Sequence, residues 1–67
     1  MKQYNLTDDQ LSVVNAISEK PLTSFEILKK VDTISMILSL YNIMDDLKDR
    51  GIVKSFVKEN TKYHYAA

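Results

Sequence analysis

Apolar residues recur at helical spacing in the first third of the chain. The stripe consists of Leu11, Val14 and Ile17, and Val13 and Ala16 flank it. Thr7 precedes this stripe as an N-cap, and Gln10, three residues later, completes a capping box. Because Pro21 cannot continue a helix, the pattern predicts a first helix that begins after Thr7 and ends by residue 20.

The same start signal recurs at Thr23, with Glu26 at the capping-box position. The apolar face of this second helix is predicted to consist of Phe25, Leu28 and Val31. Pro21 and Leu22 form an extended link between the two helices, long enough for a strand of one or two residues. The pattern therefore predicts a second helix from Thr23 to about Val31.

A third helix is predicted after a turn at residues 32–35, in which one apolar residue, Ile34, points inward. Thr33 or Ser35 can cap this helix, which is predicted to continue to Arg50. Gly51 supplies the left-handed residue that ends it. Its buried face is predicted to contain Met36, Leu40, Ile43 or Met44, and Leu47.

After Gly51 the apolar period changes to two. Residues 52–58 are β-branched, aromatic and basic, as in a strand, and residues 63–66 return as its partner. Residues 59–62 form the turn. With Asn60 and Thr61 at its centre, Phe56 is predicted to face Tyr65.

This order of elements resembles the winged helix-turn-helix family of small bacterial, archaeal and phage transcription regulators. The segment from Thr23 to Tyr65 carries the resemblance. Residues 44–53 look like the end of that family's recognition helix, with apolar residues three apart, a glycine and two apolar strand residues. The resemblance implies a mainly α fold with a small β-hairpin: three helices and a two- or three-stranded wing. We expect residues 1–67 to form one winged-helix domain.

The resemblance also implies a site for double-stranded DNA. In such proteins the third helix enters the major groove, and the wing contacts the backbone or the minor groove. The helix residues expected at the DNA are Ser39, Tyr41 and Asn42. Asn42 could pair with adenine, Ser39 could contact a base or a phosphate, and Tyr41 could bond a phosphate oxygen. The wing would contribute Lys54, Lys58 and Lys62.

Charge is balanced overall but unevenly distributed. The chain has nine basic and nine acidic side chains. Residues 1–47 carry four basic and seven acidic groups, and residues 48–67 carry five basic and two acidic ones. This places a net −3 before a net +3 and favours contact between the wing and a polyanion or an acidic surface. A lysine-rich edge hairpin that resists aggregation is an alternative explanation of the same charges.

The outward-facing stretch of the third helix before Lys48 lacks basic residues. None lies between Lys30 and Lys48, and outward-facing carboxylates at Asp45 and Asp46 would repel a DNA backbone. An alternative function is therefore protein binding through the acidic and apolar surface that contains Leu38, Asp45 and Asp46. A homodimer would help a DNA-binding function, because one weakly charged module should bind DNA poorly.

Other chemistry is not expected. The chain has no cysteine, one histidine and one glycine, so disulfides, thiolate metal sites and a phosphate-cradling glycine loop are excluded. No metal, cofactor or enzymatic activity is predicted. No apolar run approaches the roughly 20 residues that span a membrane, and residues 1–5 lack a signal peptide's apolar core. A cytoplasmic protein without membrane contact is expected.

The aromatic residues of the second strand leave two interpretations open. Tyr63, His64 and Tyr65 could stack on nucleotide bases. They could also pack beside Phe56 within the core and the wing, and packing is the interpretation that the strand pattern favours.

Overall fold

A computed structural model describes residues 5–67 of the chain, and the prediction about a signal peptide in residues 1–5 falls, apart from Asn5, outside this range. Three helices precede an antiparallel hairpin. The elements are α1 (Asp8–Ile17), α2 (Ser24–Lys30), α3 (Ile37–Asp49), β1 (Val53–Lys58) and β2 (Thr61–Ala66). This is the layout of a winged helix, and the predicted fold class is confirmed.

Both predicted capping boxes are present. The backbone N–H of Gln10 donates to the Thr7 hydroxyl at 3.1 Å, and the Thr7 N–H donates back to Oε1 of Gln10 at 3.0 Å. At α2, the corresponding bonds between Thr23 and Glu26 measure 3.2 and 2.9 Å. Each box satisfies two backbone donors that would otherwise lack partners, so the sequence alone fixes where these helices begin.

The buried face of α1 is rotated from the predicted stripe. Gln10, Val13 and Ile17 are buried, whereas Leu11 is 48% exposed. The reason lies in α3, where Asp46 accepts a hydrogen bond from Nε2 of Gln10 and so holds this polar residue in the helix interface. A prediction from helical periodicity counts only apolar residues. It therefore placed the buried face of α1 too far toward Leu11.

The predicted face of α2 was also partly wrong. Val31 is buried and Leu28 packs against the core, but Phe25 is 66% exposed. The buried residue within the helix is Ile27. Because Ile27 takes the buried position, Phe25, two residues earlier, lies on the opposite side of the helix.

The third helix has the predicted core but a different start. Leu40, Met44 and Leu47 are buried as predicted, whereas Met36 is the N-cap residue and is 61% exposed. Within residues 5–67, no side chain caps this helix, so the capping role predicted for Thr33 or Ser35 was wrong. The Thr33 hydroxyl instead donates to a carboxylate oxygen of α1, on Asp9, at 2.8 Å.

The end of α3 follows the prediction. Gly51 has a φ of 75°, in the left-handed region. Its N–H donates to the carbonyl of Lys48 at 3.0 Å, and the N–H of Ile52 donates to the carbonyl of Leu47 at 3.0 Å. These two bonds form a Schellman motif, which turns the chain directly into the hairpin.

The register of the hairpin differs from the prediction by two residues. Glu59 and Asn60, with φ values of 53° and 63°, form the turn, and Lys58 pairs with Thr61. Phe56 therefore faces Tyr63 rather than Tyr65. A two-residue turn with two positive φ values matches the twist of the strands, which a turn centred one residue later would not do.

A third strand position completes the sheet. Leu22 and His64 exchange backbone hydrogen bonds of 2.9 and 2.7 Å, which confirms the short strand predicted before α2. One face of the sheet, with Val53 and His64 buried on it, packs against the helices. The core consists of Val13, Ile17, Leu22, Ile27, Val31, Ile34, Leu40, Met44, Leu47, Ile52 and Val53.

Candidate functional site

The outermost surface of α3 presents apolar and polar residues together. Leu38, Asn42 and Asp45 lie four and three residues apart, so they share one exposed face of the helix. Leu38 is 65% exposed. Asn42 and Leu38 thus lie on the surface, as both hypotheses about this helix require.

Asp46 does not lie on that outermost surface. Its carboxylate accepts the hydrogen bond from Nε2 of Gln10, and the same oxygen lies 3.1 Å from Nε of Arg50. The Asp46 side chain is 45% exposed, so it lies on the surface as expected, but its carboxylate is directed toward α1 and paired with Arg50. Ser39 is exposed and lies seven residues earlier, on the same flank of the helix.

The opposite flank of α3 lines a groove beside the wing. The groove has a volume of about 390 Å³ and is lined by Ser24, Tyr41, Met44, Asp45, Lys48, Lys62 and His64. Three elements contribute to it: the first turn of α2, the middle of α3 and the start of β2. We call it the α3–wing groove. It brings together two of the predicted DNA contacts, Tyr41 and Lys62.

Two lysines meet in the α3–wing groove. The pKa of Lys48 is lowered from its ordinary value, first because the side chain is partly desolvated and then because the ammonium group of Lys62 lies beside it. Asp45 opposes this shift. Two neighbouring positive charges with one nearby carboxylate leave the groove with a net positive charge. A bound anion would offset the repulsion between the two ammonium groups.

His64 closes the inner side of the groove. It is 5% exposed, and its Nε2 atom lies 3.0 Å from the Ser24 hydroxyl. Burial, followed by the charges of Lys48 and Lys62, lowers the pKa of His64 to about 4. The ring is therefore neutral at pH 7, and the packing interpretation is confirmed for this residue.

The three predicted wing lysines do not form one set. Strand alternation places Lys54 and Lys58 together on the face directed away from the helices. Lys62 pairs with Val57 and lies on the other face, where it reaches the α3–wing groove. All three side chains are exposed.

Sequence reasoning missed two residues of the groove, Lys48 and Ser24. Lys48 follows Tyr41 by seven residues, and this spacing on a helix could have indicated that the two share a flank. Ser24 gave no comparable signal, because its position depends on the pairing of Leu22 with His64 in the sheet.

Neither a metal site nor a membrane span is found within residues 5–67. No group of three or more histidine and acidic side chains there is arranged to hold a metal ion. None of the helices in the same range combines the length and apolar character needed to cross a bilayer. In comparisons with protein-family models, curated proteins and solved structures, none matched this chain.

Proposed function

We propose that this chain is a small DNA-binding protein of the transcription-regulator type, related to the winged helix-turn-helix family. The observation that carries the proposal is the α3–wing groove. It concentrates Lys48 and Lys62 beside Tyr41, at the border of the exposed surface of the third helix. Positive charge therefore lies on one flank of the helix that would read DNA, although the outermost face of that helix is not basic.

The proposed docking mode assigns different roles to the two sides of α3. Asn42, on the outermost face, would bond an adenine edge in the major groove, and Ser39 would contact a base or a phosphate. Tyr41 would donate its hydroxyl to a phosphate oxygen. The Lys48 and Lys62 ammonium groups would hold a backbone phosphate, whose negative charge offsets their mutual repulsion.

The pairing of Asp46 with Arg50 supports this mode. Of the two adjacent carboxylates that would oppose DNA, Asp46 is directed toward α1 and forms a surface ion pair with Arg50. Asp45 remains exposed but lies beside Lys48. The electrostatic objection to DNA binding by α3 is therefore weaker than the sequence indicated.

Lys54 and Lys58 would contact the DNA backbone from the wing. With Lys48 and Lys62 they offer roughly four phosphate contacts, for which the slope of log K against log salt would be about −3 to −4. This is a modest electrostatic contribution. Two copies bound as a homodimer at adjacent half-sites would double it.

Titration of the protein with mixed-sequence duplex DNA tests the proposal. We expect binding at 50 mM salt that weakens at 200 mM, and its loss in the Lys48→Glu/Lys62→Glu double variant. Lys30→Glu changes the charge in the same sense in a separate groove between α1 and α2, and it should change binding much less. Absence of salt-dependent binding by the unaltered chain would overturn the proposal.

Protein binding through α3 is the second candidate function. Leu38 and Met36 are 65% and 61% exposed at the start of the helix, and the acidic Asp45 lies on the same face as Leu38, seven residues later. A partner with a basic or apolar surface would fit it. Asp45→Lys should weaken such a complex, whereas it should strengthen binding to DNA, so one variant separates the two functions.

A further inference from the structure

The hairpin has an aromatic and basic side that faces away from the helices. Strand alternation and the observed register place five residues together on it. They are Lys54, Phe56, Lys58, Tyr63 and Tyr65. We call this the outer hairpin face; it is distinct from the α3–wing groove, which lies on the helix side of the sheet.

Three aromatic rings form a continuous group on the outer hairpin face. Phe56 and Tyr63 are stacked, with centroids 5.6 Å apart and an interplanar angle of 17°. Tyr65 lies at 5.9 Å from Phe56, tilted by 48°. Phe56 is 40% exposed. The rings contact one another across the strands instead of packing in the core, so part of their π surface is accessible.

A groove adjoins the stacked rings. It has a volume of about 360 Å³ and is lined by Lys20, Pro21, Phe56, Lys58, Glu59 and Tyr63. This volume is at the lower end of the range for small-ligand sites. The link between α1 and α2 forms one wall of this groove, and the hairpin with its aromatic rings forms the other.

The charges around the rings have mainly one sign. Lys20, Lys54 and Lys58 are exposed around the aromatic group, and Glu59 is the one carboxylate that lines the groove among the described residues. Stacking rings bordered by lysines provide the two interactions that hold single-stranded nucleic acid: bases stack on the rings, and phosphates meet the cations. A duplex offers no free base faces to such a surface.

We propose that the outer hairpin face binds single-stranded nucleic acid, with unpaired bases stacked on Phe56 and Tyr63. Lys20, Lys54 and Lys58 contact the phosphates on either side of the stacked bases. Lys54 and Lys58 would serve in both activities, but the stacking rings lie on the face of the sheet opposite α3, so the aromatic contacts distinguish this activity from duplex binding by α3. Single-strand binding explains why three rings are placed on the solvent side when Val53 and His64 already anchor the hairpin to the core.

Titration of the ¹⁵N-labelled 67-residue chain with octathymidylate at low salt tests the inference by NMR. We expect the largest shift changes at Phe56, Tyr63 and Lys58. Tyr63→Leu keeps an apolar contact in the hairpin but removes the stacking ring, and it should weaken octathymidylate binding about tenfold. The matched control, Tyr41→Leu, should leave octathymidylate binding unchanged and weaken duplex binding instead.

A second variant and a second ligand provide two further tests of this inference. Lys20→Glu, at an exposed loop position, should also weaken octathymidylate binding and gives a second readout if Tyr63→Leu is poorly folded. Inorganic polyphosphate carries charge without bases. Equal affinity for polyphosphate, or shift changes confined to the α3–wing groove, would overturn the stacking proposal. Binding of octathymidylate without any binding of duplex would support it while overturning the proposed function.

Discussion

The Nε2 atom of His64 lies 3.0 Å from the hydroxyl oxygen of Ser24, so the wing is bonded to the first turn of α2. The backbone of His64 is also paired with Leu22, two residues before Ser24. One residue of the second strand thereby attaches the hairpin to the helical part of the fold through both its main chain and its side chain. The state of this ring should affect the stability of the whole molecule.

Stability should fall as the pH is lowered from about 6.5 to about 4. The pKa of His64 is about 4 in the folded chain, and an unfolded histidine has a pKa of about 6.5. Above pH 6.5 the ring is neutral in both states, so the protonation of His64 does not change stability there. Between the two values the unfolded chain binds the proton and the folded chain does not, so the loss reaches about 3 kcal/mol at pH 4.

Urea unfolding of the unaltered chain and of His64→Gln between pH 8 and pH 4 measures this effect. Carboxylates contribute similarly to both proteins, so the difference in unfolding free energy isolates His64. We expect that difference to shrink as the pH falls. A difference that stays constant over this range would show that His64 titrates normally in the folded chain.

Asp46→Ala should destabilise the fold by about 1 to 3 kcal/mol. The substitution leaves the side-chain amide of the buried Gln10 without the acceptor it has on α3, and a buried donor without a partner costs about that much. Asp45→Ala removes the same charge from the exposed neighbouring position and should change stability by less than about 0.5 kcal/mol. Thermal unfolding monitored by circular dichroism checks both, and equal effects would contradict the assigned contact.

Thr23→Ala should lower the stability by about 1 kcal/mol, the usual cost of removing an N-cap hydroxyl. It should also raise the pKa of Glu26. Hydrogen bonds from Thr23, the backbone N–H first and then the hydroxyl, hold that pKa below its ordinary value. The rise is partial, because the backbone N–H of residue 23 still donates to the carboxylate. An NMR titration of the Glu26 carboxyl carbon measures the shift; no change would mean that the Thr23 hydroxyl does not act on the Glu26 carboxylate.

The double substitution Glu59→Asn/Asn60→Gly in the hairpin turn should stabilise the protein by about 1 kcal/mol. Both positions have positive φ values, and Asn-Gly is the preferred pair for such a turn, whereas glutamate is strained there. Denaturant unfolding compares the double variant with the unaltered chain. A loss of stability would indicate a different turn and, with it, a different strand register.

The sequence predicted most of the fold because the signals concerned are local. The capping boxes at Thr7 and Thr23 and the left-handed glycine at residue 51 depend on hydrogen bonds and dihedral angles within a few residues. The buried positions Leu40, Met44 and Leu47 followed from helical spacing alone. Three helices and a hairpin in this order then leave few arrangements that bury their apolar residues together.

Less of the candidate site could be predicted from such local signals. Tyr41 was assigned to the exposed side of α3, but its neighbours Lys48 and Lys62 are brought together only by the docking of the hairpin onto the helix. The strand register decides that Lys62 lies on the helix side of the sheet and Lys58 on the other. A shift of one residue in the register would exchange those faces.

What the sequence by itself determined is therefore the element order and the ends of the helices, since short-range hydrogen bonds set both. Tertiary structure decided which sides of those elements are buried. Gln10 is inside because Asp46 meets it from a helix 36 residues away along the chain, and Phe25 is outside because Ile27, on the opposite side of α2, packs in the core. These contacts join residues far apart in sequence, and no periodicity along the chain records them.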